Sequence, residues 1–461
     1  MTNLRTALAV TAGNAASLAT RVTRRGGGTA VPGLVAERFD PAIVANLGRQ
    51  LGRGRIVVTG TNGKTTTSRM IAEALSAARI SFVHNREGSN LMRGMASTLV
   101  ARAGIGGSIR GAERMAGLFE TDEATMPAAV AALQPKVLAF TNLFRDQLDR
   151  YGEVDSVAGL WREALAKAPR DATLVLNADD PSVAEMAIGW TGPVHWFGLD
   201  DEAFATETAG AFDARWCACG GDYRYDRRYF AHVGYWRCTN CERKRPTPDT
   251  SGSEVKLSLD GATMAISGLG AVSMPLTGLY NVYNALAAAA ACKVIGVPEN
   301  ATIAGLARVK PAFGRQEVVD VQGRSLRLFL AKNPAGANQV LLLLREVARV
   351  GRKLKLALLL NDRFADGQDV SWIWDVDHEL LAEFTEAWWA GGDRAEDLAV
   401  RLKYAGFQAP GAVEHEPAKL LDAILAGTNP GDDVFVIPTY TSMLDFRAEL
   451  ARRGAVAGRM D

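Results

Sequence analysis

Short apolar runs alternate with segments of helical spacing over most of this chain. RIVVTG (55–60), KVLAFTN (136–142) and ATLVLNADD (172–180) are brief, β-branched or leucine-rich, and closed by polar or turn residues. Runs of that kind predict buried parallel strands. TTTSRMIAEALSAA (65–78) has helical spacing, and further helical segments separate the later runs. The alternation predicts a doubly wound α/β unit with a parallel sheet. It breaks between about 213 and 247, where Arg, Tyr and Cys crowd together, and resumes as EVKLSL (254–259), TMAISG (263–268) and a long alanine-rich helix from Asn281. After KPAFGRQE (310–317) come further strands, KLALLLN (355–361) and DVFVIPT (433–439), with helices of their own. The expected organisation is an N-terminal helix and Gly-rich linker (1–50), a central α/β domain (51–314) with an insert at about 213–247, and a C-terminal α/β domain (315–461).

Composition narrows the function class. The 461 residues are 48% hydrophobic and carry a net charge of +1, so the cores are large and no extended nucleic-acid surface is expected. No apolar run reaches the roughly 18 residues that cross a bilayer. NLRTALAVTAGNAASLATRVTRR (3–25) has an early arginine like a secretion signal, but its alanine-rich stretch is broken by Asn14 and Ser17. It reads as an amphipathic helix of a cytoplasmic protein.

The stretch VVTGTNGKTTTSRMI (57–71) carries the chemistry. A strict P-loop has a glycine where Val58 stands. The physical parts are nevertheless present between a strand and a helix: Gly60 and Gly63, with Thr61 and Asn62 between them, then Lys64, Thr65 and Thr66. The glycines let backbone N–H groups turn around an anion, Lys64 brings positive charge, Thr65 offers magnesium a hydroxyl, and the helix start adds its dipole. ATP binding is expected, the alternative being an ordinary strand-to-helix turn. Asn177-Ala178-Asp179-Asp180-Pro181 closes another strand, at the carboxyl edge where such sheets bind ligands.

Four of the five cysteines fall in one window, Cys217, Cys219, Cys238 and Cys241. Two close pairs eighteen residues apart predict a closed, structural four-cysteine zinc site, although the first pair is one residue tighter than usual. Disulfides are the alternative, disfavoured in a reducing compartment. Cys292 lies in an apolar helical run and reads as core.

These motifs resemble the Mur ligase superfamily, ATP-dependent enzymes that join an acyl group to an amine. GTNGKTT (60–66) is similar to that family's shortened loop, and GLYNVYNALAAAAA (278–291) to its adenine-side segment, with Asn281 and Asn284 at the two asparagines. FGRQE (313–317) resembles the segment whose arginine, here Arg315, reaches the phosphates. FETDEAT (119–125) resembles the acidic segment that holds magnesium, which implicates Glu120 first and Glu123 second, a solvated loop being the other reading of Glu123. TNLFRDQLDRYG (141–152) resembles the family's Asn-rich strand end, but Gln147 stands where many members have a metal-binding histidine, so a second magnesium is not implied.

Within the superfamily the chain is most similar to the MurT family, through the four-cysteine insert, NREGSN (85–90), KNPAGANQVL (332–341), LLNDRFADGQDVSWIWD (359–375) and PTYTSML (438–444). That resemblance implies amidation of the α-carboxylate of D-glutamate in the lipid II stem peptide. The route is an acyl phosphate, with ammonia from a GatD-type glutamine amidotransferase subunit and access to lipid II at the inner membrane face. The cysteines agree with a separate ammonia source, since none is placed to serve as a glutaminase nucleophile. The resemblance further implies that an aspartate of the 359–375 segment completes the partner's Cys-His pair. Asp369 is the first choice, Asp375 the second, and Asp366 is also in the segment; Asp369 alternatively caps a helix beginning near Ser371. Trp372 and Trp374 read as packing or interface anchors. Two rivals share parts of the pattern: an amino-acid-adding ligase of the folylpolyglutamate or UDP-peptide type, and a zinc-knuckle nucleic-acid-binding ATPase suggested by RYDRRYFAHVGYWRC (224–238).

Overall fold

The structure, a computed structural model, describes residues 4–23, 30–85, 89–146, 154–205, 213–311, 315–349 and 351–456. The strands in chain order are β1 (Gly54–Thr59), β2 (Phe82–His84), β3 (Ala116–Glu120), β4 (Val137–Phe140), β5 (Thr173–Asn177), β6 (Val194–Leu199), β7 (Tyr223–Phe230), β8 (Val233–Cys238), β9 (Thr250–Ser258), β10 (Gly261–Ile266) and β11 (Gly270–Met274). They continue as β12 (Arg315–Val321), β13 (Arg324–Phe329), β14 (Leu354–Leu359), β15 (Thr385–Gly391), β16 (Ala412–Glu414) and β17 (Asp433–Pro438).

A nine-stranded sheet has the order β11-β10-β9-β6-β5-β4-β1-β3-β2. Its section from β9 to β2 is parallel, and β10 and β11 extend it as an antiparallel meander. The parallel strands are covered on both faces, which is why they read as continuous apolar runs. One face packs on the alanine-rich helix Leu279–Ile295, where Ala285, Leu286, Ala287 and Ala290 are fully buried. Small side chains let that helix lie close to the sheet. The other face meets Trp161, Val130 and Leu133 and the N-terminal helices Leu4–Thr23, Val31–Phe39 and Ile43–Gly48. Part of the Gly-rich stretch is therefore helical. Pro32 begins the second helix, where its fixed φ is suited, and Gly33 lets it approach Arg93 so closely that a Cβ would lie 1.9 Å from that carbonyl oxygen.

A second, six-stranded sheet has the order β12-β13-β17-β14-β15-β16, parallel except for the β12–β13 pair. Its faces bury separate clusters, one around Leu344, Leu356 and Trp388 and the other around Trp389, Val436 and Phe446. The expected α/β architecture of two sheet-based units and a small cysteine-bearing β-hairpin is thus present, the hairpin being the β7–β8 pair.

Candidate active site

The phosphate loop runs from the end of β1 into the helix Lys64–Ala77. Both of its glycines have positive φ, +136° at Gly60 and +89° at Gly63. A Cβ at Gly60 would lie 2.1 Å from Thr141 Oγ1, and one at Gly63 2.1 Å from Asn284 Oδ1. Glycine is required at both places for conformation and for room. Lys64 Nζ donates to Gly60 O at 2.5 Å and forms an ion pair with Glu123 Oε1 at 2.7 Å. Burial alone depresses the Lys64 ammonium, but Glu123, then Glu120 and Asp146, outweigh it and raise its pKa above the usual lysine value. Thr65 Oγ1 donates to Glu120 Oε1 at 2.9 Å. Glu120 is itself held by Asn85, whose side chain pairs with its backbone N–H and C=O at 2.9 and 2.8 Å. One hydroxyl and two carboxylates gathered beside a buried ammonium form a set of hard oxygen donors suited to Mg²⁺ next to phosphates.

The end of β4 holds the loop in shape. Asn142 pairs its side chain with the backbone N–H and C=O of Asn62, and Thr141 Oγ1 donates to Asn62 O at 2.7 Å. Thr61 Oγ1 donates to Phe144 O and accepts from the Phe144 N–H. Thr66 is buried on the first turn of the helix. From the second sheet, Asn333 exchanges amide hydrogen bonds with the Asn62 side chain, at 3.1 and 3.3 Å, and Lys332 pairs with Asp146. Asn85, Asn142, Asp146, Lys332 and Asn333 were not singled out individually by the sequence, although each lies inside or beside a quoted motif. Gln147 lies outside the described residues, as does the side chain of Arg315.

At the start of the helix Leu279–Ile295, Asn281 Nδ2 donates to Thr277 O at 2.8 Å, and Asn284 Nδ2 to Asn281 Oδ1 at 3.0 Å. Asn284 Oδ1 also accepts from Thr67 Oγ1 at 3.4 Å, so this pair backs directly onto the phosphate loop. Beside Arg315, Gln316 stitches the second sheet to the start of that helix by bonding both the N–H and C=O of Thr277.

Cys217, Cys219, Cys238 and Cys241 converge with all four sulfurs within 4.8 Å of one another. Cys217 and Cys241 are 3.7 Å apart, Cys219 and Cys238 3.4 Å. Sulfurs at the corners of a tetrahedron with about 2.3 Å bonds lie roughly 3.8 Å apart, so the set fits a single ion. The Gly221 N–H draws the Cys219 thiol down to about 6. Cys241, despite the Arg243 N–H, is pushed up to about 12 by burial and the neighbouring sulfurs. The Asn177–Pro181 strand end anchors this hairpin instead of facing an open edge. Arg245 pairs with buried Asp179 at 2.5 Å, Tyr283 donates to Asp179 at 2.6 Å, and Trp236 Nε1 donates to Ala178 O at 2.9 Å.

Comparison with known proteins places this arrangement. The Mur ligase middle domain matches residues 58–216, and the MurT ligase C-terminal domain matches residues 330–443. A subunit MurT of lipid II isoglutaminyl synthase (glutamine-hydrolyzing) from Streptococcus pneumoniae is 32% identical over 466 residues, spanning 100% of both chains. The chain belongs to the MurT family of ligases. The fold is also that of solved Mur ligases. A pseudomurein peptide ligase type C from Methanothermus fervidus superposes with a TM-score of 0.65 at 20% identity, covering 88% of this chain and 80% of that one. MurF ligase from Thermotoga maritima, solved in complex with ADP, gives 0.59 at 15%, with 90% and 84% covered.

In the MurT C-terminal domain, the segment after β14 is built around Asp366 and Asp369. Asp366 is buried, and its carboxylate accepts from the Thr441 N–H at 2.8 Å and from the Thr441 hydroxyl, which positions the PTYTSML helix start. Asp369 is exposed and accepts from the Ser371 N–H at 2.8 Å, at the start of the 3₁₀ turn Ser371–Asp375. The Ser371 hydroxyl and N–H hold its carboxyl below the usual range. The turn's N-cap position is Val370, with no side-chain cap bond, so Asp369 bonds the turn from one residue outside it and faces solvent. Asp375, also exposed, is engaged within the chain, 3.1 Å from Arg145 Nη2; Arg145 in turn binds Asp213 at the entry to the cysteine hairpin. Phe364 is 82% exposed and Trp374 52%, while Trp372 is half-buried.

Proposed function

We propose that this MurT-family ligase amidates the α-carboxylate of D-glutamate in the lipid II stem peptide, using ATP and ammonia supplied by a GatD-type glutaminase subunit. ATP supplies the γ-phosphoryl group that turns the carboxylate into an acyl phosphate open to attack by ammonia. Lys64 and the amides of residues 60–66 bind the β/γ-phosphates, and Thr65, Glu120 and Glu123 hold Mg²⁺. Phosphoryl transfer of this type needs positioning and charge stabilisation more than covalent chemistry, and these residues provide both. Asn281, Asn284 and Arg315 hold the remainder of the nucleotide. Zn²⁺ at the four cysteines keeps the hairpin folded and has no open position for catalysis. No described helix is long and apolar enough to cross a membrane.

One observation supports the division of labour most strongly. A phosphate loop equipped with carboxylates sits in a chain with no cysteine fit to release ammonia. Four are clustered, and burial pushes the Cys292 thiol up to about 12. A glutaminase nucleophile must be an accessible thiolate not committed to a metal cluster, which neither the clustered four nor buried Cys292 offers. Asp369, solvent-facing in the segment that also exposes Phe364 and Trp374, is suited to orient a histidine of the ammonia-producing partner. The test is ATP turnover with lipid II, with the chain alone and with its co-purified glutaminase. Turnover should need lipid II throughout, and should need the partner only when glutamine is the nitrogen source. Glutamine-driven product from the isolated chain would contradict the proposal.

A further inference from the structure

The helix Leu4–Thr23 has two faces of different character. Thr6, Ala9, Val10 and Gly13 are buried against the body. Leu4, Leu8, Thr11, Ala15 and Leu18 are all exposed and recur at helical spacing, so they form one outward stripe. The three leucines are 76%, 56% and 65% exposed. Beside it the helix Val31–Phe39 runs antiparallel, with Thr6 bonded to Asp40 at one end and Gly13 against Pro32 at the other. It adds exposed Val31, Leu34 and Phe39. Six of the fifteen large exposed apolar side chains among the described residues thus belong to two adjacent helices, a concentration that marks an interaction surface.

Charge points to the occupant. Residues 1–53 contain seven arginines, no lysine and two acidic residues. Asp40 is buried and bound by Thr6 and Asn46, so among the described side chains of this segment only Glu37 brings negative charge toward the surface. Arg5 and Arg38 are exposed on the same helix pair, Arg5 tying the two together through Phe39 O at 2.7 Å. An apolar stripe flanked by arginines fits the headgroup region of an anionic bilayer, where leucines enter the acyl boundary and guanidinium groups meet phosphates.

We infer that the helix pair Leu4–Thr23 and Val31–Phe39 docks this enzyme on the surface of an anionic membrane. The choice of occupant rests on the lipid II reading, because a substrate embedded in a bilayer requires the enzyme to work at that surface. Docking by this face holds the enzyme in the layer of solution where the stem peptide projects.

The experiment uses the full-length chain and flotation with phosphatidylcholine vesicles, with and without phosphatidylglycerol. The chain should float with the phosphatidylglycerol vesicles and be released by salt. Leu4→Ser/Leu8→Ser/Leu18→Ser should weaken that binding about tenfold or more, while ATP-dependent amidation of a soluble, tail-less muropeptide stays unchanged. If the triple variant melts early, Arg38→Glu serves instead, with the same direction expected. Equal flotation of wild type and variants overturns the inference, and so does a wild-type dimer that the leucine substitutions convert to monomer. Absent amidation of the soluble substrate in the wild type, with vesicle binding intact, counts against the function and supports the surface.

Discussion

Lys64 Nζ lies 2.7 Å from Glu123 Oε1, with 11% and 8% of the two side chains exposed. This pair sets the charge of the phosphate loop. Lys64→Ala removes the cation that faces the phosphates and leaves Glu120 and Glu123 close together without it. Loss of one such preorganised donor costs about 10²–10³ in turnover, and removing one member of a buried pair costs about 3–5 kcal/mol. ATP-dependent turnover and a denaturation curve on the same preparation check both. Near-normal turnover would move the nucleotide away from this loop.

The cysteine hairpin should respond as a structural unit. Cys238→Ser or Cys241→Ser is expected to abolish binding of about one zinc per chain, as read by metal analysis. Stability should fall first, because an unfolded hairpin withdraws Trp236 from Ala178 and Arg245 from buried Asp179. Activity surviving in proportion to the folded fraction would fit this role. Freshly purified protein without zinc would contradict it.

Acid should destabilise the C-terminal unit through His378. It is buried beside Arg401, and burial first, then that guanidinium, depress its pKa to about 3; Glu379 only partly opposes this. A histidine whose folded pKa lies below the unfolded value of 6.5 stabilises the fold above pH 6.5. That contribution is lost as pH falls toward 3, where the unfolded chain has bound the proton first, and it amounts to roughly 5 kcal/mol. His84, depressed to about 4 by burial and then Arg69, acts in the same direction. Urea unfolding at a series of pH values should show the slope, and His378→Leu should flatten it. An unchanged slope would assign the acid limb to other groups.

Legibility in the sequence followed the range of each interaction. The strands β1, β4 and β5, the glycine loop and the cysteine window are local patterns, readable from side-chain period and spacing. Contacts between distant segments left no local signal. Asn333 meets Asn62 across 271 positions, and Lys332 meets Asp146 across 186. Asn177–Pro181 has the polar character of a ligand edge, yet the Ala178 carbonyl and the Asp179 carboxylate are taken up by Trp236, Arg245 and Tyr283, partners that only the tertiary fold supplies. Similarly, the glycines around residue 30 suggested a linker, while the helix Val31–Phe39 forms because tertiary packing outweighs weak local propensity.

Asp369→Asn separates the two roles of that residue, since asparagine caps a helix start about as well as aspartate. If Asp369 only caps Ser371, stability and glutaminase turnover should both stay near wild type. If it orients a partner histidine, glutamine-driven turnover should fall by as much as about 10⁴-fold, because an amide favours the wrong tautomer. Added ammonia should then restore amidation. Failure with both nitrogen sources in a folded complex would place Asp369 at the synthetase site.

The central claim is that an acyl phosphate made here is captured by ammonia and not by an amino acid. Mass spectrometry of the stem peptide after incubation with ATP, Mg²⁺, lipid II and ¹⁵N-labelled ammonia tests it most directly. The account predicts replacement of one hydroxyl of the D-glutamate α-carboxylate by a labelled amino group, strictly dependent on ATP. An unlabelled stem peptide, or one that lengthens only when an amino acid is supplied, would contradict it.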